Sequence, residues 1–178
     1  MNSQKLIHSI IQRIATGPEL SKNIETEEAE AAMSAILSGK IDEVQSAIFL
    51  IALRMKRETM DENIVILKAI VKATNFENVY VENLIDIGDP YSGYNRSVPI
   101  SSFVPPLLAE LGLPTIIHGL DSVSPKFGLT HRHINLAMGL DSDISISDAK
   151  LRIENQDIGW SYLDQSIYCK ELNQLVPL

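Results

Sequence analysis

The 178-residue sequence has one cysteine, Cys169, and one tryptophan. A single cysteine excludes a disulfide within the chain and is typical of a reducing compartment, so we expect a cytoplasmic protein. Basic residues are few: 15 Lys and Arg stand against 23 Asp and Glu, a formal net charge of −8. That charge argues against a generally basic nucleic-acid-binding surface, although it is compatible with a local basic groove.

Long apolar runs are also lacking. A membrane-spanning helix needs about 20 consecutive apolar residues, and none of the runs approaches that length, so we expect no membrane partner. The chain is 45% hydrophobic and 21% charged, a composition that supports a packed core. Its length suits one domain, or one domain with a small satellite.

The first part of the chain shows only helical periodicity, in four segments whose apolar residues recur every three or four positions. Thr26 precedes two acids and is the expected N-cap of the second helix. The third helix, within residues 42–56, is apolar on most sides, which predicts a position at the centre of a bundle. The pattern therefore predicts an all-α helical bundle over residues 1–75.

From Leu84 short apolar strands alternate with helices. Alternation of this kind predicts right-handed βαβ units and a mainly parallel sheet. The predicted fold class is therefore α/β, with the helical bundle followed by a partial α/β domain over residues 84–178. The predicted strands cover residues 84–88, 113–119 and 159–164.

Two helices near the end of the chain are predicted in more detail. The segment ISDAKLRIENQ has Ser147 as its expected N-cap. The segment QSIYCKELNQLV, residues 165–176, is predicted to form one last helix.

The segment DIGDPYSGYNRS, residues 86–97, follows the first predicted strand and precedes a helix. In α/β proteins this position often holds a phosphate. Ser97 is the expected N-cap of the helix, and Arg96 adds a permanent charge that suits phosphate. The candidate anion-binding residues of this loop are Gly93, Tyr94, Asn95, Arg96 and Ser97.

Other features of the same loop oppose anion binding. Pro90 and Pro99 lack N–H donors, and the carboxylate of Asp89 repels anions. Tyr91 and Tyr94 alternate with polar residues, which suits stacking on a base or another flat ring. A tight surface turn without any ligand explains the segment equally well.

The second loop, HGLDSVSPKFG, covers residues 118–128 and is expected to lie beside the first. His118 and Gly119 end a strand, Ser124 follows, and Lys126 is able to reach a phosphate as a point charge. Considered alone, a histidine at the end of a strand is typically a structural residue, and a single lysine in a loop is typically solvated. Their expected position beside the first loop makes them candidate site residues.

The sequence predicts no metal site. His131 and His133 lie two positions apart, so on a helix they face different sides. Asp141 and Asp143 mark a turn and have no evident partner for a metal.

The run EEAEAAMSAILSGKIDEVQSAIFLIALRMKRET and the later order of strand, loop, helix, strand and His-Gly turn resemble the anthranilate phosphoribosyltransferase family, glycosyl transferase family 3. The spacing from Asp86 to Gly112 suits that family without a gap. The resemblance implies a homodimer formed through the N-terminal helices, for which we expect Ile10 and Ile14 to lie in the interface. The family continues past the equivalent of Leu178, so the chain is expected to correspond to the N-terminal half of its length.

The catalytic motifs of the family are changed in this chain. Asp-Pro-Tyr-Ser-Gly, residues 89–93, stands where the family has Gly-Thr-Gly-Gly-Asp for a pyrophosphate. Residues 99–102 lose the amide of Asn-Ile-Ser-Thr and keep its hydroxyls, among them Ser101. Ile117 and Leu120 replace the Lys and Asn of Lys-His-Gly-Asn. This pattern resembles a divergent branch of the family, which includes dimeric proteins reported to bind nucleic acid.

The resemblance implies a transferase-like protein that does not catalyse the anthranilate reaction. It is expected to bind a phosphate-containing small molecule at residues 89–97 and 118–126, with no cofactor in this segment and Mg²⁺ only if the complete protein is a transferase. Three alternatives stay open: a single-stranded nucleic-acid-binding protein on a retired transferase scaffold, a transferase with another acceptor, and an oligomeric scaffold without a ligand.

Overall fold

The computed structural model describes residues 2–17, 19–89 and 91–178. Pro90, for which the sequence predicts the loss of a donor, lies outside the described residues. The chain divides into two compact units, Met1–Thr74 with Pro177–Leu178, and Asn75–Val176. None of the described helices combines the length and the apolar composition that crossing a membrane requires.

The first unit contains four helices. Helix α2 packs against α4 and α1, and α1 also packs against α3. The apolar side of α1 is buried in these contacts, where Ile7 and Ile10 are fully enclosed. The helices are α1 (Ser3–Ile14), α2 (Thr26–Leu37), α3 (Glu43–Lys56) and α4 (Met60–Ala73).

Side chains fix where these helices begin. The hydroxyl of Thr59 accepts a hydrogen bond from the Glu62 N–H, and the Glu62 carboxylate accepts one from the Thr59 N–H. This reciprocal pair is a capping box. Thr26 was the expected cap of α2, and that prediction is wrong. Thr26 is already the first helical residue, its hydroxyl donates to Glu27, and Glu25 holds the N-cap position with an extended backbone.

The predicted central position of α3 is also wrong. Phe49 and Leu53 face inward, but Val44 and Ile51 are 68% and 59% exposed. Helix α2 is at the middle of the packing. Its alanines Ala29, Ala32 and Ala35 are buried, and their small side chains let neighbouring helices approach closely. Apolar residues on several sides of α3 therefore do not mean that the helix is enclosed.

The second unit is built on three parallel strands in the order β1–β2–β3. Thr115 of β2 lies opposite Ile85 of β1 and opposite Trp160 of β3. The α/β class and the parallel sheet predicted from the sequence are confirmed. The strands are β1 (Ile85–Gly88), β2 (Thr115–Gly119) and β3 (Trp160–Asp164).

Helices cover this sheet. Helix α5 packs against β2 and α7 against β3, where Ile144, Ala149 and Leu163 form a buried cluster. A 3₁₀ turn, Ile100–Phe103, precedes α5. The helices are α5 (Val104–Glu110), α6 (His131–Ala137), α7 (Ile146–Glu154), α8 (Gln165–Tyr168) and α9 (Lys170–Asn173).

Two predictions for the last helices need correction. The N-cap of α7 is Ser145, whose hydroxyl accepts from the Asp148 N–H, while the hydroxyl of Ser147 donates to Glu77. The predicted final helix is divided into α8 and α9 at Cys169. This residue is fully buried, and its φ of −142° and ψ of 70° lie outside the helical region.

Candidate functional site

A cleft of about 830 Å³ lies at the carboxyl ends of the three strands. Asp89 borders it just after β1, His118 and Gly119 at the end of β2, and Gln165 just after β3. Parallel strands bring their carboxyl ends to one edge, and ligands of such sheets bind there. The two loops singled out in the sequence therefore meet at one cleft.

The candidate residues lie in two adjoining places. Ser101 borders neither, and its hydroxyl donates to Asp89 Oδ2 at 3.2 Å. An outer groove of about 390 Å³ beside the cleft is lined by residues 91, 94–97 and 126, and so contains Asn95, Arg96 and Ser97. The candidate residues that line the cleft are Gly93, Tyr94, His118, Gly119, Ser124 and Lys126.

A short backbone pairing joins the two loops, and we call it the clasp. The Tyr94 N–H donates to the Leu129 carbonyl at 2.8 Å, and the Leu129 N–H donates to the Tyr94 carbonyl at 3.0 Å. Gly93 and Gly128 touch beside this pair, and a Cβ on Gly93 would lie 2.4 Å from the Gly128 carbonyl oxygen. Glycine is therefore required at position 93 by the contact between the loops.

The expected helix cap at Ser97 is wrong. The 3₁₀ turn begins at Ile100, its N-cap is Pro99, and no side chain makes a capping hydrogen bond there. A proline at this position has no side-chain oxygen, so it cannot accept a hydrogen bond from the N–H groups of the first turn. Anion binding at this loop must therefore rest on side chains rather than on a helix start at Ser97.

Asp89 is the centre of a hydrogen-bonded cluster that borders the cleft. Its Oδ2 accepts from the Tyr94 hydroxyl at 2.9 Å and lies 3.1 Å from His131 Nε2, in addition to the Ser101 contact. The other ring nitrogen of His131, Nδ1, lies 2.7 Å from the Ser102 hydroxyl. We call these residues the Asp89 cluster.

The protonation states of the cluster follow from its burial and its partners. Burial lowers the pKa of the His131 imidazole and outweighs the attraction of Asp89. A neutral ring then donates from Nε2 to Asp89 and accepts the Ser102 proton at Nδ1. The hydrogen bond to Asp89 raises the pKa of the Tyr94 hydroxyl, so tyrosine remains a donor at neutral pH.

Sequence reasoning missed this cluster. Asp89 was considered only for its repulsion of anions, and His131 only with His133 as a poor metal pair. His131 lies 29 residues after Ser102 in the chain, so no local spacing could have pointed to the cluster as a whole. Within residues 2–17, 19–89 and 91–178, no group of three or more His, Cys, Asp or Glu side chains could hold a metal ion.

His118 is held on both sides at the wall of the cleft. Its Nε2 lies 3.0 Å from Asp86 Oδ1, and its Nδ1 lies 3.2 Å from the Tyr168 hydroxyl. Burial raises the pKa of Tyr168 to about 12, so its hydroxyl keeps its proton and is able to donate it to an unprotonated Nδ1. These two contacts fix the plane of the imidazole at the edge of the cleft.

Cations and aromatic rings meet where the cleft joins the outer groove. Lys126 Nζ lies 3.7 Å from the centre of the Tyr91 ring, and the Tyr91 and Tyr94 rings are 4.8 Å apart. The ion pairs among the described residues include neither Arg96 nor Lys126. Both side chains are exposed, so both charges are available to a ligand.

Comparisons with known proteins give consistent results. The model of the glycosyl transferase family helical bundle domain matches residues 8–73. An uncharacterized protein of Aquifex aeolicus is 30% identical over 157 residues, which cover 88% of this chain and 45% of that protein. An anthranilate phosphoribosyltransferase of Gluconobacter oxydans is 29% identical over 137 residues, which cover 75% of this chain and 37% of that enzyme.

A solved structure has the same fold. The anthranilate phosphoribosyltransferase of Thermus thermophilus superposes with a TM-score of 0.73 and 22% identity, over 99% of this chain and 49% of that one. The chain thus spans about half the length, or less, of the relatives that it matches. By its helical bundle domain and by these relatives, the chain is similar to the glycosyl transferase family that includes the anthranilate phosphoribosyltransferases.

Proposed function

We propose that this chain binds a phosphate-containing ligand at its two loops and does not support transfer to anthranilate. The Asp89 cluster is the observation that supports this most strongly. The family resemblance implies a glycine at the start of a pyrophosphate cradle, where this chain has a carboxylate that already occupies the hydroxyls of Tyr94 and Ser101. Pyrophosphate would be repelled by this negative charge and could not use those hydroxyls as donors. Losing even one such donor reduces the stabilisation of a transition state by about 3 kcal/mol.

The second changed motif supports the same proposal. Ile117 stands where the family has a lysine, and its side chain is enclosed in β2. Leu120, in place of an asparagine, borders the cleft with an apolar side chain. Restoring the glycine cradle alone would therefore not restore the donors that the reaction needs.

The phosphate itself is assigned to Arg96 and Lys126. Both side chains line the outer groove, which Asp89 does not border, and Lys126 also lines the cleft. Hydrogen bonds between charged groups are stronger than an exposed cation–π contact, so a phosphate would draw the Lys126 ammonium away from the Tyr91 ring.

Arg96→Ala should weaken binding of adenosine 5′-monophosphate about tenfold, because it removes a charge-assisted contact. Isothermal titration calorimetry at low and at physiological salt measures this, and higher salt should weaken binding further. Arg152→Ala on α7, outside the cleft and the groove, is the matched control and should leave the affinity unchanged. Consumption of phosphoribosyl pyrophosphate with anthranilate, at a rate normal for an enzyme, would contradict the proposal.

Single-stranded nucleic acid is the second candidate ligand. The outer groove is open and places two tyrosine rings beside two cations, an arrangement that binds successive bases and phosphates. The net charge of −8 opposes strong electrostatic affinity. A short oligonucleotide that binds much more tightly than the mononucleotide would favour this candidate.

We also propose that the chain forms a homodimer through its N-terminal unit, but not through α1. Ile10 and Ile14, the residues first expected in the interface, are enclosed within their own unit. Helices α3 and α4 each expose a stripe of apolar side chains at helical spacing, a feature typical of interaction surfaces. The stripe residues are Val44, Ile48, Ile51 and Met55 on α3, and Met60, Ile64, Leu67 and Val71 on α4.

Leu67→Lys should convert the dimer to monomers, because it places a charge in an apolar interface. Sedimentation velocity at micromolar concentration measures the change. Gln12→Lys introduces the same charge on the exposed side of α1, outside both stripes, and should leave the dimer intact. If the unaltered chain sediments as a monomer, the proposed dimer is wrong.

A further inference from the structure

The two oxygens of the Asp89 carboxylate differ in their hydrogen bonding. Oδ2 accepts from Tyr94, Ser101 and His131. No residue in the described part of the chain donates a hydrogen bond to Oδ1. The side chain is 15% exposed and lines the cleft. Carboxylate oxygens only accept hydrogen bonds, so the inner end of the cleft offers an acceptor to a ligand.

Aromatic rings and a cation follow Asp89 along the wall of the cleft. The Tyr94 hydroxyl lies 2.9 Å from Asp89, and its ring is 4.8 Å from the ring of Tyr91. Lys126 Nζ lies 3.7 Å beyond, over the Tyr91 ring. The order along the wall is therefore acceptor, ring, ring and cation. We call these four residues the recognition strip.

A nucleotide presents matching groups in the same order: the pairing edge of the base, its aromatic ring, the sugar and the phosphate. We propose that the recognition strip binds a nucleoside monophosphate whose base has an amino group on its pairing edge. The amino group donates to Asp89 Oδ1, the base stacks against the tyrosines, and the phosphate binds Lys126 and Arg96. This inference rests on the proposed phosphate binding and adds the identity and the direction of the ligand.

Charge along the strip supports this direction. A phosphate at the inner end would lie against the Asp89 carboxylate, whereas at the outer end it lies beside two cations. Carboxylate side chains accept hydrogen bonds from base amino groups in nucleic-acid recognition. When the phosphate attracts the Lys126 ammonium, the face of Tyr91 is uncovered for the base.

The test compares two ligands that differ by one group, with the unaltered chain and isothermal titration calorimetry. Purine riboside 5′-monophosphate carries hydrogen where adenosine 5′-monophosphate carries its 6-amino group. We expect the adenosine compound to bind about tenfold more tightly, the value of one hydrogen bond to a charged group. Asp89→Asn should abolish that preference, because it weakens the binding of adenosine 5′-monophosphate and leaves the binding of purine riboside 5′-monophosphate unchanged. Asp157→Asn, on the exposed surface, should preserve the preference.

Each outcome separates the inference from the proposed function. Binding of neither nucleotide overturns both. Equal affinities on the unaltered chain overturn the inference and leave phosphate binding in place, and this comparison needs no folded variant. Tighter binding of both compounds by Asp89→Asn would show that the carboxylate only repels anions, which also overturns the inference.

Discussion

Glu62→Gln should lower the free energy of unfolding of the helical unit by about 3–5 kcal/mol, because it leaves a buried charge without its partner. Lys56 Nζ lies 2.7 Å from Glu62 Oε2, and both side chains are enclosed. The same carboxylate accepts from the Ile24 and Thr59 N–H groups, each at 2.7 Å. A glutamine amide would direct N–H groups at one of these donors. Urea denaturation followed by circular dichroism measures the loss.

The ion pair also predicts how the free energy of unfolding of the helical unit depends on pH. Burial raises the pKa of Glu62, but its hydrogen bonds outweigh burial and hold that pKa below the usual 4.5. Its stabilisation is therefore present above pH 4.5 and is lost as the pH falls through the lower pKa of the folded chain. The difference between Glu62→Gln and the unaltered chain should shrink over that acid range.

The matched control is Glu58→Gln, which breaks an ion pair with Arg54 on the surface. Arg54 is 78% exposed, so this change should lower the free energy of unfolding by less than about 1 kcal/mol. Equal losses for Glu58→Gln and Glu62→Gln would show that burial of the Lys56–Glu62 pair has no special effect.

Gly93→Ala is the second large effect that we expect, a loss of about 2–5 kcal/mol in the free energy of unfolding of the second unit. Gly93 has φ +86°, and the new Cβ would lie 2.4 Å from the Gly128 carbonyl oxygen. The left-handed conformation costs alanine about 1–2 kcal/mol, and the steric overlap adds about 1–3 kcal/mol. Urea denaturation followed by the fluorescence of Trp160, on β3, measures the loss.

Gly139→Ala separates the two causes. Gly139 has φ +77°, but a Cβ there would meet no atom within 4 Å. Gly139→Ala should therefore lower the free energy of unfolding by only about 1–2 kcal/mol, the cost of the left-handed conformation. Gly93→Ala should also weaken binding of adenosine 5′-monophosphate, because opening the clasp moves Tyr94. If the two alanine variants lose equal stability, the glycine contact in the clasp is not tight.

Periodicity in the sequence was enough to predict the helical first part, the three parallel strands and the cleft at their carboxyl ends. These features depend on which side chains are apolar and at what spacing, information that a short window of sequence contains. Helix ends were less predictable. Thr26, Ser97 and Ser147 each have a side chain able to cap, and in each case the backbone enters its helix or turn at another residue.

By itself, the sequence determined the fold class, the family resemblance and the two loops, because apolar periodicity and motif order are local. Only the tertiary structure decided which residues of the loops contact one another and which distant residues contact them. Asp89, Ser101 and His131 belong to separate segments, and chain folding alone brings them within hydrogen-bond distance. Gly93 was interpreted as part of an anion site, but its requirement for glycine comes from Gly128, in the second loop. Contacts between distant segments have no fixed spacing in the sequence, so the structure was needed to find them.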